Sequence, residues 1–322
     1  MDGFDRLGRG AAYGAALAMT PYLLIKVSWV IGAILGLIPL GSTMGLAQWV
    51  VLNTVTIGMA LVGIALALAL ARPAGMRLPA APLLLCGWLG TGFLVSMLPY
   101  AVISSLVTPP ADAQPDKGAS APVWEAVLIQ VSFVGMGLGL AVALPAYLRR
   151  RWPLPFTGRV GDHAHPHPAG PGAEQGGPRP ASGGLVAAGT ALGACWLYWA
   201  AGGTAGLADP AERNTDWRLL VALFAVWSLA GSAAAWATAN GRPARVPRWL
   251  PTALVWLGSG SMFAWSAWKL PFTAYTAVAG RAADSVMPEN LGVAAAVHVA
   301  ALATGAAMLR TLVRTYASPA AE

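Results

Sequence analysis

Eight stretches of this chain, near residues 11–34, 46–71, 82–107, 123–148, 184–204, 217–239, 251–270 and 291–313, are long, continuous and almost free of charge. A helix needs about 20 apolar residues to cross about 30 Å of hydrocarbon, and each stretch is near or above that length. In hydrocarbon every backbone N–H and C=O must be satisfied within the chain, which leaves only helices and closed barrels. Barrel strands show about 10 residues of alternating polarity, whereas these runs are unbroken and rich in Leu, Ala, Val and Gly. The composition agrees: 57% of the 322 residues are hydrophobic and 10% charged, against about 25% charged in a soluble domain. The expected fold class is therefore all-α, a polytopic membrane protein with eight transmembrane helices. The first run contains Pro21 and Lys26 and exceeds the 7–15 apolar residues of a signal peptide, so it reads as a retained span.

The chain also resembles itself. Residues 29–37 read W-V-I-G-A-I-L-G-L and residues 199–207 read W-A-A-G-G-T-A-G-L, one W-x-x-G-x-x-x-G-L pattern repeated 170 positions on. Trp49 pairs with Trp217 and Arg72-Pro73 with Arg242-Pro243 at offsets of 168 and 170. Trp88-Leu89-Gly90-Thr91-Gly92 pairs with Trp256-Leu257-Gly258-Ser259-Gly260 at 168. An offset this steady reads as two copies of one four-helix unit, spanning 1–148 and 184–322. Residues 149–183, dense in Pro, Gly and polar side chains, read as a disordered linker between them. An even number of spans per copy makes the repeats parallel, with a pseudo-twofold axis along the membrane normal.

Basic residues set the orientation. With a cytoplasmic N-terminus, the inner segments hold fourteen arginines, among them Arg6, Arg9, Arg72, Arg77, Arg149 to Arg151, Arg242 and Arg310. The outer segments hold five basic residues: Lys117, Arg213, Arg218, Lys269 and Arg281. This bias places both termini and the linker in the cytoplasm, as expected for a multi-pass protein of the cytoplasmic (inner) membrane. The pI near 9.8 is thus a topological signal; no basic helix or aromatic platform accompanies it, and no nucleic-acid partner is expected.

Lys26 is the basic residue set deep in an apolar run, and a charge there is costly enough to mark a candidate site. The same outer level collects Gln48, Asn53, Tyr100, Glu125 and Gln130 from the first copy and Tyr198, Lys269 and His298 from the second. Lys26, Gln130, Tyr198, Lys269 and His298 are the candidate ligand-binding residues, expected around an outward-facing cavity between the repeats. The alternative is that they hydrogen-bond between helices. His163, His165 and His167 alternate within the linker and form a weak metal motif, because no surrounding fold closes a coordination sphere. Cys86 and Cys195 sit at different depths and read as packing residues. No C-x-x-C, nucleotide loop or catalytic triad is present, and one histidine within a span does not make a bis-histidine haem site, so no cofactor is expected.

The string Leu197-Tyr198-Trp199-Ala200-Ala201-Gly202-Gly203 resembles the Y-W-A-x-G-G signature of small four-helix bacterial integral-membrane proteins of unknown function. The resemblance implies a tandem of such units and no activity. Three functions are compatible with this sequence. The first is binding, sensing or transport of a small molecule. The second is a membrane-embedded enzyme acting on a lipid or isoprenoid, with Lys26 or His298 as acid or base. The third is an accessory subunit that only packs against partners, with the bilayer as a common partner throughout and the oligomeric state open.

The orientation is testable. A single cysteine introduced at Ser182, in a chain lacking Cys86 and Cys195, is expected to resist an impermeant maleimide in intact cells. Efficient labelling would reverse the topology.

Overall fold

The computed structural model describes residues 3–37, 45–107, 123–163, 180–278 and 288–317. Among them are eight α-helices: α1 Gly3–Ile34, α2 Leu46–Ala71, α3 Ala80–Val107, α4 Val123–Arg151, α5 Pro180–Ala200, α6 Thr215–Asn240, α7 Trp249–Val278 and α8 Leu291–Ala317. Each coincides with one apolar run of the sequence, because continuous apolar runs of this length have no other way to satisfy their backbones.

Seven of these helices are long and apolar enough to cross a membrane; α7 is the exception. Its sequence holds Trp249, Trp256, Trp265 and Trp268 together with Ser259, Ser261, Ser266 and Lys269, which lowers its mean hydropathy. Gly258, Ser259, Gly260, Ser261 and Met262 are buried in succession. Five consecutive residues sweep more than a full turn at 3.6 residues per turn, so protein encloses α7 here on every side. A helix enclosed in this way has no need of an apolar outer surface.

The chain divides into two compact units, Met1–Gly87 with Ala101–Arg151, and Trp88–Tyr100 with Trp152–Glu322. In the first, α1 packs against α2 and α4. The α1–α4 seam is built from small residues: a Cβ on Gly139 would collide with Ala15, and one on Gly135 with Ala18. Close approach of helix backbones through small residues is the usual route to affinity between helices in lipid. At the end of this seam Tyr147 donates to the Gly75 carbonyl at 2.7 Å, and Arg151 donates to the Tyr147 hydroxyl at 2.7 Å and to the Leu78 carbonyl at 2.6 Å. These bonds tie the α2–α3 connection to α4.

In the second unit α5 packs on α6 and α8, and α7 on α6 and α8. Its core holds Trp196, Trp199, Phe224, Met262 and Met308. The stretch Trp88–Tyr100 of α3 belongs to this unit and crosses α7 where Gly92 meets the backbone of Gly260. Around that crossing Trp88 donates to Ser259 Oγ at 3.0 Å, and Trp256 donates to Thr91 Oγ1 at 3.0 Å. Ser96 and Ser261 share a hydrogen bond of 2.6 Å.

Part of the segment expected to be disordered is ordered. Residues 149–151 complete α4, and Leu154–Phe156 and Val160–His163 form short 3-10 turns. Val160 donates to the Val246 carbonyl at 2.9 Å, Gly161 to Ala244 at 3.1 Å, and Arg248 to Gly158 at 3.2 Å. Val160 is buried. Backbone pairing to residues 244–248 therefore overrides the Pro/Gly composition on which the expectation rested. Residues 164–179, with His165 and His167, lie outside the described residues.

Glycines of the repeated W-x-x-G-x-x-x-G pattern end two helices. Gly36 (φ 70°) and Gly202 (φ 111°) adopt a left-handed backbone one residue beyond the caps of α1 and α5. Leu37 donates to Gly32 at 2.8 Å and Gly203 to Tyr198 at 2.8 Å, each the 6→1 bond of a Schellman motif. The W-x-x-G-x-x-x-G pattern is thus read out differently, with α5 ending at its first glycine and α1 at its second.

The crossing yields a prediction. Gly92→Ala would drive a methyl group into the Gly260 backbone, and overpacking of this kind costs roughly 1–3 kcal/mol. Gly90→Ala meets open space. The detergent-solubilised melting temperature should fall for Gly92→Ala and hold or rise for Gly90→Ala; equal values for both would remove the crossing as a structural constraint.

Candidate functional site

The first unit contains a charged cluster among its helices. On α1, Tyr22, Lys26 and Trp29 follow at i, i+4 and i+7, so they lie on one face. The Lys26 ammonium sits 4.1 Å from the centroid of the Trp29 ring and 5.7 Å from that of Tyr22, close enough for attraction to the negative face of each ring. It donates to Asn53 Oδ1 at 2.9 Å. Asn53 is buried on α2 and its amide nitrogen donates to the Trp49 carbonyl one turn back at 2.9 Å. That bond orients the side chain so that Oδ1 faces the ammonium.

Trp29 connects this ammonium to a carboxylate. Its indole N–H donates to Glu125 Oε2, near the start of α4, at 3.0 Å. The cation thus lies on the ring face while the anion is held at the ring edge. Each charge polarises the indole in the sense that favours the other. Trp49 packs against Trp29 with centroids 5.9 Å apart, and its indole N–H is buried without a partner.

The second unit holds an arrangement of the same residue types. Trp199 and Trp217 pack with centroids 6.4 Å apart, and Trp217 donates to Glu289 Oε1 at 3.0 Å. Asn214 caps α6 by accepting from the Trp217 backbone N–H at 2.8 Å, which sets Trp217 in the first turn. Asn290 accepts from Gly292 N–H at 3.0 Å at the start of α8 and donates its own N–H to the Gly206 carbonyl at 3.0 Å. These contacts hold Glu289 beneath the 202–209 turn. Trp196 stands where the 170 offset would put a counterpart of Lys26, and it packs on Phe224 in the core at 5.9 Å.

The candidates from sequence divide between the units. Lys26 and half-buried Gln130 belong to the first, and Tyr198, Lys269 and His298 to the second. Tyr198 braces a turn: its hydroxyl accepts from the backbone N–H of Thr204 and Ala205, both at 3.2 Å. Lys269 lies 5.9 Å from the ring of Trp265, one turn earlier on α7. His298 is buried between α7 and α8, with Nδ1 3.1 Å from Ser266 Oγ. Among the described residues no group of three metal-binding side chains converges, and the histidine run of the linker lies outside them apart from the backbone of His163.

The parts least visible from sequence are the aromatic ones. Trp29, Trp49, Trp199 and Trp217 read as interfacial residues because tryptophan favours span ends in any membrane protein. The repeated spacing of both pairs was the available signal that they act together. Glu289 precedes α8 in a loop, and nothing in the sequence indicated its burial. No protein-family model, curated protein or solved structure matches this chain.

The Lys26–Asn53 bond can be weighed directly. Interhelical hydrogen bonds in membrane proteins average about 0.6 kcal/mol and reach about 1.7 kcal/mol. Asn53→Leu leaves the ammonium without that acceptor and is expected to cost about 1 kcal/mol. Lys26→Met combined with Asn53→Leu should cost less than the two single changes added; strict additivity would show that the pair is not coupled.

Proposed function

We propose that this protein is an eight-span integral membrane protein made of two parallel four-helix repeats, with both termini cytoplasmic, which binds a small molecule at the Lys26 cluster. Two features support the duplication. Trp88 bonds Ser259 while Trp256 bonds Thr91, and Thr91 and Ser259 occupy equivalent positions of the W-L-G-[TS]-G pattern. Such reciprocal contacts are characteristic of a twofold-related pair of surfaces. Each unit also holds a tryptophan pair with a carboxylate on one indole N–H, that of Trp29 in the first unit and of Trp217, the counterpart of Trp49, in the second. The enclosure of α7 supports counting it as the eighth span.

The observation that carries the binding reading is the Lys26 ammonium itself. It has three donors, and among the described residues its one hydrogen bond is to Asn53. The remaining donors suit an acceptor group on a ligand lying against the aromatic rings. A lipid-facing ammonium would cost about 2.5–3.5 kcal/mol, a cost that the cation–π and Asn53 contacts offset. Catalysis draws less support, since His298 uses a ring nitrogen on Ser266 and Lys26 belongs to the other unit.

Native mass spectrometry of protein extracted in mild detergent tests this reading. The wild type is expected to carry a co-purifying adduct that Lys26→Met loses at unchanged expression, while Lys26→Arg retains part of it. Identical adduct patterns in all three would favour an accessory, purely packing role.

A further inference from the structure

α1 is longer than the hydrocarbon core of a bilayer is thick. Its apolar run begins near residue 11, yet the helix begins at Gly3 and runs for 32 residues, about 48 Å at 1.5 Å per residue. That exceeds about 30 Å of hydrocarbon, so its first turns, with Arg6 and Arg9, stand at headgroup level. Two other segments bring arginine to the same place. α4 ends in Arg149, Arg150 and Arg151, and the turn after α2 carries Arg72 and Arg77. Arg150 Nε lies 3.8 Å from Asp5 Oδ1, and the Arg149 guanidinium lies 5.6 Å from the Phe4 ring. Arg151 donates to the Gly75 and Leu78 carbonyls at 3.4 and 2.6 Å. The end of α4 thus stands between Arg6 on one side and Arg77 on the other. Seven arginines, two, two and three from these segments, meet only Asp5 and, outside the described residues, Asp2.

We propose that this end of the first unit binds an anionic phospholipid, its headgroup phosphate pairing with the exposed guanidinium groups of Arg6, Arg72 and Arg77. The fold accounts for the other arginines better than for these. A helix C-terminus favours cations, which suits Arg149 to Arg151 in the last turn of α4. Arg6 lies in the first turn of α1, where the helix dipole disfavours a cation. Arg6, Arg72 and Arg77 are exposed, and among the described residues their guanidinium groups have no partner. Arginine meets a phosphate with two parallel N–H bonds, and basic clusters at the membrane surface attract anionic headgroups. Phe4, Leu7, Met76 and Leu78 are exposed beside them in the sequence. A free phosphate would use the arginines alone, whereas a phospholipid also covers these apolar side chains. The proposal is independent of any ligand at Lys26, which lies twenty residues beyond Arg6, about 30 Å along α1.

Thermal unfolding of the full-length protein in a neutral detergent, titrated with short-chain phosphatidylglycerol or phosphatidylcholine, tests the site. Phosphatidylglycerol should raise the melting temperature saturably, and phosphatidylcholine should not. Arg6→Gln combined with Arg77→Gln should shift the titration midpoint at least tenfold upward while leaving the lipid-free melting temperature unchanged. If that pair expresses poorly, Arg72→Gln combined with Arg77→Gln probes the same surface and should shift the midpoint in the same direction. Arg310→Gln makes the same charge change at an exposed position of α8 and should leave the midpoint where it is. Lys26→Met should also leave it unchanged, so that failure here is distinguishable from failure of the Lys26 reading. An equal response to the two lipids would show that headgroup charge is not selected. Inorganic phosphate matching phosphatidylglycerol at equal concentration would make the occupant a free anion. An unchanged midpoint in the double variants, or an equal shift in Arg310→Gln, would reduce the effect to general attraction by net charge. Each of these results would overturn the proposal.

Discussion

The crossing of α3 over α7 is the constraint on which the second unit depends. At Gly92 and Gly260 the two backbones touch, and no residue larger than glycine allows that separation. Closeness then brings Trp88 and Trp256 within reach of Ser259 and Thr91, so the buried indole of Trp88 and the partly buried one of Trp256 have their N–H groups satisfied. A few polar bonds inside a tight helix crossing supply specificity where lipid provides no hydrophobic drive for helices to associate. The same crossing helps enclose α7, whose tryptophans and serines would be poorly suited to face hydrocarbon.

Tryptophan carries much of the polar organisation in both units. Its ring presents a negative face to a cation and an N–H to an anion, so one side chain can sit between opposite charges without their forming a direct ion pair. Trp29 does this for Lys26 and Glu125. Trp217 makes the anion contact to Glu289. This use of an aromatic spacer suits the apolar interior, where an unpaired charge is expensive and a fully desolvated ion pair gains little.

The helices were legible because length and continuous apolarity leave the backbone a single solution. All eight runs reappear as helices, most ends within four residues of those expected, while α1 starts eight residues earlier and α7 ends eight residues later. Lys26 stood out as a candidate as well, since an ammonium within an apolar run is conspicuous in a 10% charged chain. Its partners did not stand out. Asn53 and Glu125 shared its expected depth, yet depth does not say which helix faces point at one another. Tyr198 stood out by its sequence context, but its hydroxyl holds a turn together. The order of residues 152–163 was hidden because it depends on backbone pairing to a segment some 85 positions distant.

The sequence by itself determined that this chain is helical, where its helices run, and that two of its stretches share a pattern. Those properties follow from hydropathy and spacing, which act locally along the chain. Tertiary structure alone decided that Trp29 bridges a lysine and a glutamate, that Gly92 abuts Gly260, and that Glu289 is buried with one oxygen unpartnered. These depend on which faces of separate helices meet, and that outcome is set by the fit of small and large side chains over many contacts at once, which no single stretch of sequence specifies.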